Sequence, residues 1–483
     1  MREAYETVIG LEVHVQLNTQ TKIFCGCPTT FGAPPNSQVC PVCLGLPGAL
    51  PVLNRQAFEL TLRTALALHC QISERIKFDR KNYFYPDLPK NYQISQYDLP
   101  VSHDGWVDAP LEDRTVRVRI HRAHLEEDAG KLLHEGVQDG SLVDFNRAGI
   151  PLLEIVSEPD LTSSEAAHAY LTTLKTILQY LDVSDCNMEE GSLRCDVNLS
   201  VRRAGAQALG TKVEIKNLNS FKAVRAALVF EQHRQQQLLD RGERIVQETR
   251  LWDAKRELTA SMRSKEEASD YRYFPEPDLV PFEVARDALE RIRTTLPELP
   301  HARAERFMQQ YGLPPYDAHV LTADKAVAEF FEATVTGGAP AQPAAHWVMG
   351  EVLSFLNAQQ LTLARTSLQA AHLARLIGLV ERHELTRPVA KEVFVEMARS
   401  GQDPQTIIAA KGWRRVADPQ ALATVVDQVL AEQAQSVADY RRGKTTALMY
   451  LVGQCMKATR GQADPTVVAE LLRQRLTNLM TKE

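Results

Sequence analysis

The chain has 483 residues, 44% hydrophobic and 24% charged, with a formal net charge of −6. That length allows roughly two to four domains, and the composition is that of a globular chain rather than a disordered or fibrous one. The negative balance excludes a protein held to nucleic acid by its overall charge, and no apolar run approaches the ~20 residues of a membrane-spanning helix.

The N-terminal Met1-Arg2-Glu3-Ala4-Tyr5-Glu6 lacks the apolar core of a secretion signal, so the expected compartment is the cytoplasm. The first periodic segment is Leu11-Glu12-Val13-His14-Val15-Gln16-Leu17. Apolar and polar side chains alternate there as on a strand with one buried face, and Glu12 and His14 share the polar face. Cys25-Gly26-Cys27 and Cys40-Pro41-Val42-Cys43 follow, with twelve residues between the pairs. Short-spaced thiols with tight turns between them bring four sulfurs to tetrahedral range for zinc. Four thiolates leave no open position, so such a site is structural; two reduced pairs without metal are the plain alternative. Cys70, Cys186, Cys195 and Cys455 are isolated and read as small core residues.

A helix is expected over 55–69, then breakers at Asp87-Leu88-Pro89-Lys90-Asn91 and Ser102-His103-Asp104-Gly105. Segment 118–128 alternates again, with His124, Glu126 and Asp128 on one side and Glu127 on the other. Segments 153–158, 193–201 and 212–216 repeat the pattern, interspersed with helices expected over 163–181 and 220–241. An ordinary exposed sheet would carry scattered Thr, Ser, Lys and Gln. These segments carry Glu12, Glu126, Asp128, Glu154, Glu158, Asp196 and Glu214. As neighbours, those carboxylates need neutralising, and hard divalent cations with phosphate chemistry supply it. Arg147, Arg194, Lys131, Lys212 and Lys216 add the positive charge that a transferred phosphoryl group requires. Surface ion pairing on an exposed sheet is the alternative for any one of these groups.

After Pro275-Glu276-Pro277-Asp278, from about 291 onward, the chain turns Ala-, Leu-, Gln- and Arg-rich with helical periodicity. Thr336-Gly337-Gly338-Ala339-Pro340-Ala341-Gln342-Pro343 reads as a flexible loop or linker, and Lys411-Gly412-Trp413 as a break. Gly443-Lys444-Thr445-Thr446 imitates the end of a phosphate-binding loop, but Ala438 stands where the first glycine belongs and no strand precedes it. Segment 441–461 holds Arg441, Arg442, Lys444, Lys457 and Arg460 and no acid. That stripe suits RNA phosphates read by shape; a solvated helix face is the alternative. The expected architecture is an α+β domain over 1–290, a helical domain over 291–405 and a helical tail over 406–483.

Several longer motifs resemble the GatB family of the aspartyl/glutamyl-tRNA amidotransferases. They include Cys40 to Gly48 (CPVCLGLPG), Lys81 to Asp87 (KNYFYPD), Pro89 to Gln96 (PKNYQISQ), His124 to Lys131 (HLEEDAGK) and Asp144 to Glu154 (DFNRAGIPLLE). Glu189 to Asp196 (EEGSLRCD), Lys212 to Asn217 (KVEIKN), Asp270 to Pro275 (DYRYFP) and the segment from Arg442 to Gly461 continue the likeness. The resemblance implies a cradle-shaped α+β domain similar to glutamine synthetase and guanidino kinases, followed by a helical domain and a small helical tail. It also implies a reaction: ATP phosphorylates the side-chain carboxylate of a misacylated Glu-tRNA(Gln) or Asp-tRNA(Asn), and ammonia displaces the phosphate. Phosphorylation supplies the leaving group that a carboxylate lacks.

On that reading Glu12, His14, Glu126 and Glu154 lie near magnesium, with Glu127, Asp196 and Glu214 as further candidates, and His14 could instead stand behind the ligands. Arg147, Arg194 and Lys216 hold phosphate, Glu126 and Glu127 serve catalysis, and the stripe from Arg441 to Arg460 meets tRNA. The family's zinc cysteines fall on Cys25, Cys27, Cys40 and Cys43, and Lys81 is a candidate for an ammonia channel. No Gly-Gly-Ser-Ser amidase signature occurs in the chain. The resemblance therefore implies an amidase partner, GatA, that releases ammonia from glutamine, and a small third member, GatC, in a heterotrimer. Two other readings remain open: a free-standing ATP-dependent ligase acting on a small carboxylic acid, and a non-catalytic, zinc-bearing RNA-binding scaffold.

Overall fold

The five alternating segments become five neighbouring strands of one nine-stranded sheet. The computed structural model describes residues 5–112, 114–133, 140–264, 271–413, 419–459, 463 and 465–480. In chain order the strands of this sheet are β1 (Tyr5–Gln16), β2 (Gln71–Ile72), β3 (Ser102–Pro110), β4 (Thr115–Glu127), β5 (Pro151–Ser157), β6 (Leu193–Arg203), β7 (Val213–Leu218), β8 (Glu248–Asp253) and β9 (Leu258–Ser264). Their order across the sheet is β9-β8-β7-β6-β1-β5-β4-β3-β2. Pairing is antiparallel except between β7 and β8.

Alternation fixes the register. On β1, Ile9, Leu11, Val13 and Val15 are buried, while Glu12, His14 and Gln16 point the other way and are partly exposed. A slip of one residue would exchange those faces, so burial of the apolar set specifies the pairing. Helices α1 (Arg55–Ala67), α2 (Ser164–Tyr180) and α3 (Phe221–Asp240) supply the apolar stripes that join the same core. On α2 the stripe is Ala166, Ala167, Tyr170, Leu171, Leu174, Ile177 and Leu178, the spacing of one helix face. Each start is capped: Asn54, Ser163 and Ser220 accept from the backbone N–H three residues on, a bond worth about 1 kcal/mol. The expected helix limits are therefore close.

A second, three-stranded sheet joins Asp79–Asn82, Tyr92–Ser95 and Phe274–Pro275, with Asp79–Asn82 in the middle. It meets the end of β4, where Ser95 Oγ reaches Glu126 and the Ile94 N–H reaches Glu127.

The chain divides into two compact units, Met1–Leu299 and Pro300–Glu483. The expected boundary at 290 falls inside the Arg286–Thr294 helix. Leu289, Ile292, Leu296 and Leu299 pack against the first core, which is why that unit continues past 290. The second unit is helical throughout its named elements. It holds two hydrophobic clusters, one built on Phe307, Phe331, Trp347 and Phe394, the other on Leu451, Cys455, Leu472 and Leu476. The expected division at 405/406 cuts the Pro404–Lys411 helix, whose Ile407 belongs to the first of these clusters.

The segment 336–343 corrects one expectation: it is a tight corner between helices and not a flexible loop or linker. The Lys325–Thr336 helix ends at Gly337, the N–H of buried Ala339 bonds the Thr334 carbonyl, and a new helix runs Ala341–Trp347. Gly338 takes φ +99°, a region that side chains with a Cβ rarely enter. Lys411-Gly412-Trp413 is the expected break, with Gly412 left-handed at φ 66° and the Trp413 N–H returned to the Ile408 carbonyl. The phosphate-loop imitation at Gly443 is preceded by the Ala434–Arg441 helix and not by a strand. Among the described residues no helix is long and apolar enough to cross a membrane.

Candidate active site

The sheet face turned away from α1–α3 carries two groups of carboxylates. His14 on β1 stands directly opposite Glu154 on β5, and Glu154 stands opposite His124 on β4. With Glu126, two residues beyond His124 on the same face, these make the first group. One donor atom from each of His14, Glu126 and Glu154 lies within 4.8 Å of the others. His14 Nε2 is 3.5 Å from Glu154 Oε2, and His124 Nε2 is 3.3 Å from the same oxygen and 3.5 Å from Glu126 Oε2. The second group is Glu12, Asp196 and Glu214, with donor atoms again within 4.8 Å. Glu12 faces Asp196 across the β1–β6 pair. Asn198 donates to Glu12 at 2.9 Å and Thr249 to Glu214 at 2.7 Å, so neighbouring side chains hold two of these carboxylates in place.

Charge follows from this crowding. Burial works against a charged His14, but Glu154, with Glu126 and Asp196, raises it to about 9. His124 is raised in the same sense, by Glu154 and Glu126 against burial. Burial would push Glu154 up, yet His124 and His14 hold it well below the usual carboxylate range. The histidines thus balance part of the carboxylate charge of this group. The donor set fits a hard divalent cation: carboxylate oxygens from separate strands converge, and the cation would replace protons on the histidines.

The expected cations divide. Lys216 Nζ lies 2.6 Å from Asp196 and 3.4 Å from Glu214, so it belongs to the second group. Arg194 is paired in a fork with Asp128, at 2.9 and 3.1 Å. Arg147 donates to the Ala129 and Gly130 carbonyls and also approaches Asp128, at 3.8 Å. Gln16 adds a further bond to Asp128 at 2.7 Å. Both arginines are thereby held at the edge of the first group rather than directed at its carboxylates.

Glu127 turns to the other side, as the alternation of 118–128 requires, and closes on Lys90 at 2.5 Å. Lys81 approaches from the small sheet. Its ammonium lies 4.9 Å from the Tyr271 ring centroid and 5.8 Å from that of Tyr83. Burial opposes its charge, but Glu126 raises its pKa above the ordinary lysine value.

The four cysteines Cys25, Cys27, Cys40 and Cys43 bring their sulfurs within 4.8 Å of one another. Cys40 and Cys43 Sγ are 3.9 Å apart, close to the ~3.8 Å separation implied by four Zn–S bonds of about 2.3 Å at tetrahedral angles. Hydrogen bonding from Cys25 lowers Cys43 to about 4 against burial, and Lys22 contributes to the lowering. The ammonium of fully buried Lys22 is 3.7 Å from Cys43 Sγ and donates to the Phe145 carbonyl. It offsets part of the negative charge that four thiolates would bring to a divalent metal. Gly149, at φ +83°, passes between Cys43, Lys22 and Glu127, and ties the loop to the site through Ile23 and Asp128 backbone bonds.

In the second unit, Arg441, Arg442 and Lys444 lie at the end of the Ala434–Arg441 helix and in the turn after it, and Lys457 lies in the last turn of Thr446–Ala458; all four are exposed. Asp439, just before the stripe, approaches Lys444 at 3.4 Å and Arg442 at 3.8 Å. Arg460 lies outside the described residues.

The alternation of 118–128 placed His124 and Asp128 on the Glu126 face, but gave neither a role of its own in the site. Ser95 gave no such signal, because it reaches Glu126 from a different sheet.

The model of the GatB/GatE catalytic domain matches residues 7–290, and that of the GatB domain matches 329–476. The chain is 54% identical over 482 residues to the aspartyl/glutamyl-tRNA(Asn/Gln) amidotransferase B subunit of Carboxydothermus hydrogenoformans, covering 99% of this chain and 100% of that protein. It is 54% identical over 473 residues to the protein of the same name from Caldanaerobacter subterraneus, covering 98% and 99% of the two chains. The Moorella thermoacetica protein of that name is 52% identical over 474 residues, covering 98% and 100%.

Proposed function

The chain belongs to the GatB family, and from that premise we propose that it is the carboxylate-activating component of a tRNA-dependent amidotransferase, a ligase that forms a carbon–nitrogen bond. Its substrate is the side-chain carboxylate of a misacylated Glu-tRNA(Gln) or Asp-tRNA(Asn), its phosphoryl donor is ATP, and its products are Gln-tRNA(Gln) or Asn-tRNA(Asn). The observation that carries this reading is the pair of oxygen-rich groups, His14 with Glu126 and Glu154 and Glu12 with Asp196 and Glu214, side by side on one sheet face.

Bound among these carboxylates, magnesium would neutralise phosphate oxygens and favour in-line phosphoryl transfer. Glu12, Glu126, Glu154, Asp196 and Glu214 are the ligand candidates. His14 and His124, each within 3.5 Å of Glu154, orient that carboxylate and give up their charge when the cation binds. Lys216 balances the second group. Arg147 and Arg194, kept in position by Asp128, border the space where substrate enters. Glu126 combines two roles, metal ligand and neighbour of Lys81 at the proposed end of an ammonia path. Glu127, closed by Lys90, supports the small sheet.

The rest of the reading follows the family. The first unit forms a cradle similar to glutamine synthetase, and zinc sits on Cys25, Cys27, Cys40 and Cys43. An amidase partner, GatA, supplies ammonia, and GatC completes a cytoplasmic heterotrimer. The exposed stripe of Arg441, Arg442, Lys444 and Lys457, with Arg460, meets tRNA phosphates. The test is ATP hydrolysis and amide formation by the assembled complex with and without misacylated tRNA. Turnover stimulated by the tRNA is expected. Turnover indifferent to tRNA would indicate a small-molecule ligase, and no turnover at all a binding scaffold.

A further inference from the structure

The basic side chains around the acidic face are not equivalent. Arg147 and Arg194 share Asp128, and Lys216 is held by Asp196 and Glu214. Among the described residues, Arg122 on β4 has no carboxylate partner. Its Nη1 donates to the Tyr97 carbonyl at 3.4 Å, and its Nε is buried with no hydrogen-bond partner. An unmet buried donor is costly, so an arginine held in this way is suited to a ligand that arrives later.

Its location is specific. Arg122 stands two residues before His124 on the same strand and opposite Val156, as His124 stands opposite Glu154. It therefore projects from the same face, about 7 Å along the strand from the first carboxylate group. Tyr97, whose carbonyl takes Nη1, stacks on Tyr273 with centroids 4.4 Å apart and planes 11° from parallel. Burial lifts the Tyr273 phenol to about 12, with Lys81 opposing, Glu126 and Glu154 adding, and Arg122 opposing. Tyr273 thus lies within the fields of both Arg122 and the Glu126–Glu154 group. With Nη1 on the Tyr97 carbonyl and Nε without a partner, the Nε–Nη2 edge of the guanidinium has no acceptor among the described residues. That edge is the one that grips two oxygens of a phosphate at once.

We propose that Arg122 engages the non-bridging oxygens of the transferred phosphoryl group and is a further catalytic residue of this site. The inference rests on the carboxylate-activation reading and assigns the phosphoryl contact to a different arginine from the two that the sequence suggested. In the step concerned, a carboxylate oxygen of the substrate forms a bond to the γ-phosphorus of ATP. The bond from that phosphorus to the β,γ-bridging oxygen breaks, its electron pair leaves with ADP, and no proton or redox equivalent is needed. Arg122 balances the charge spread over the three non-bridging oxygens while the bond is made. Arg147 and Arg194, which share the single negative charge of Asp128, would add less.

The experiment uses the complete complex with ATP and misacylated tRNA. Arg122→Ala should lower tRNA-dependent ATP turnover about a hundredfold or more, as loss of one preorganised donor does. Glutamine hydrolysis by the amidase partner and the KM for tRNA should stay within about threefold. Added guanidinium ion should restore turnover to Arg122→Ala and leave the wild type and Arg194→Ala unimproved. Arg122→Lys, which keeps the charge and loses the fork, should fold and still lose about tenfold. Near-normal turnover in either variant would overturn the proposal, as would a loss in Arg122→Ala that guanidinium fails to restore. A wild-type complex whose ATP turnover ignores tRNA would instead sink the underlying reading, before any variant is compared.

Discussion

Arg194 grips Asp128 with both ends of its guanidinium fork, Nη2 to Oδ1 at 2.9 Å and Nη1 to Oδ2 at 3.1 Å. Asp128 is buried and Arg194 is partly exposed. Asp128→Asn would leave Arg194 and Arg147 without their counter-charge. Discounted for the exposed side of the pair, the expected loss is about 1–3 kcal/mol, read as a lower urea midpoint at unchanged slope. Unchanged stability would mean that the pair contributes nothing to the fold.

Glu126 and Glu127 are adjacent in sequence and face opposite sides, so their amides should behave differently. Glu126→Gln should abolish amide formation while the partner's glutamine hydrolysis persists, with little change in melting temperature. Glu127→Gln removes the 2.5 Å contact with Lys90 and should cost stability, about 3 kcal/mol, because it leaves a buried ammonium unpaired. Loss of both activities from an intact Glu126→Gln complex would contradict the division of labour.

Metal analysis of the purified chain should give roughly one equivalent of zinc, tetrahedral by sulfur-edge or metal-edge absorption. Cys43→Ser should release it and lower the melting temperature, since the 25–43 loop has few apolar residues to hold it. A full zinc content in Cys43→Ser would exclude the four-sulfur site.

In the second unit, burial would raise Glu332, but Arg306 and Arg303 hold it below the usual carboxylate range. A carboxyl depressed in the folded state contributes stability above its unfolded pKa and loses it as pH falls through the folded value. Stability of the wild type should therefore fall more steeply than that of Glu332→Gln below about pH 4.5. Parallel urea midpoints of the two proteins from pH 7 to pH 3 would show that the pairs are too solvated to matter.

Lys444→Glu with Lys457→Glu should weaken tRNA binding and reduce the salt slope by about two contacts. Asp439→Asn should act in the opposite direction, because Asp439 lies 3.4 Å from Lys444 and partly neutralises it. Filter binding at two salt concentrations decides both, and equal affinities at low and high salt would exclude the stripe as an RNA contact.

Strand periodicity identified five of the nine strands and which side chains share a face, because a period of two is a local property. Helix limits expected from periodicity came close to the observed ones, and the caps at Asn54, Ser163 and Ser220 are the local chemistry that sets their starts. The linker expected at 336–343 failed on a non-local fact. Gly and Pro in that stretch permit a sharp corner as well as a flexible spacer, and burial of Ala339 against a neighbouring helix selects the corner.

Local spacing was enough to put carboxylates and histidines on the polar faces of several strands, and four cysteines close enough to share a metal. Tertiary structure alone decided which charges oppose one another. Register sets Glu12 against Asp196 and His14 against Glu154, and a separate small sheet, with the turn that joins two of its strands, delivers Ser95 to Glu126 and Lys90 to Glu127. Counter-ion choice depends on a few ångströms between segments distant in the chain. Spacing along one strand cannot encode it, and so Arg147 and Arg194 looked free in the sequence while Arg122 passed unnoticed.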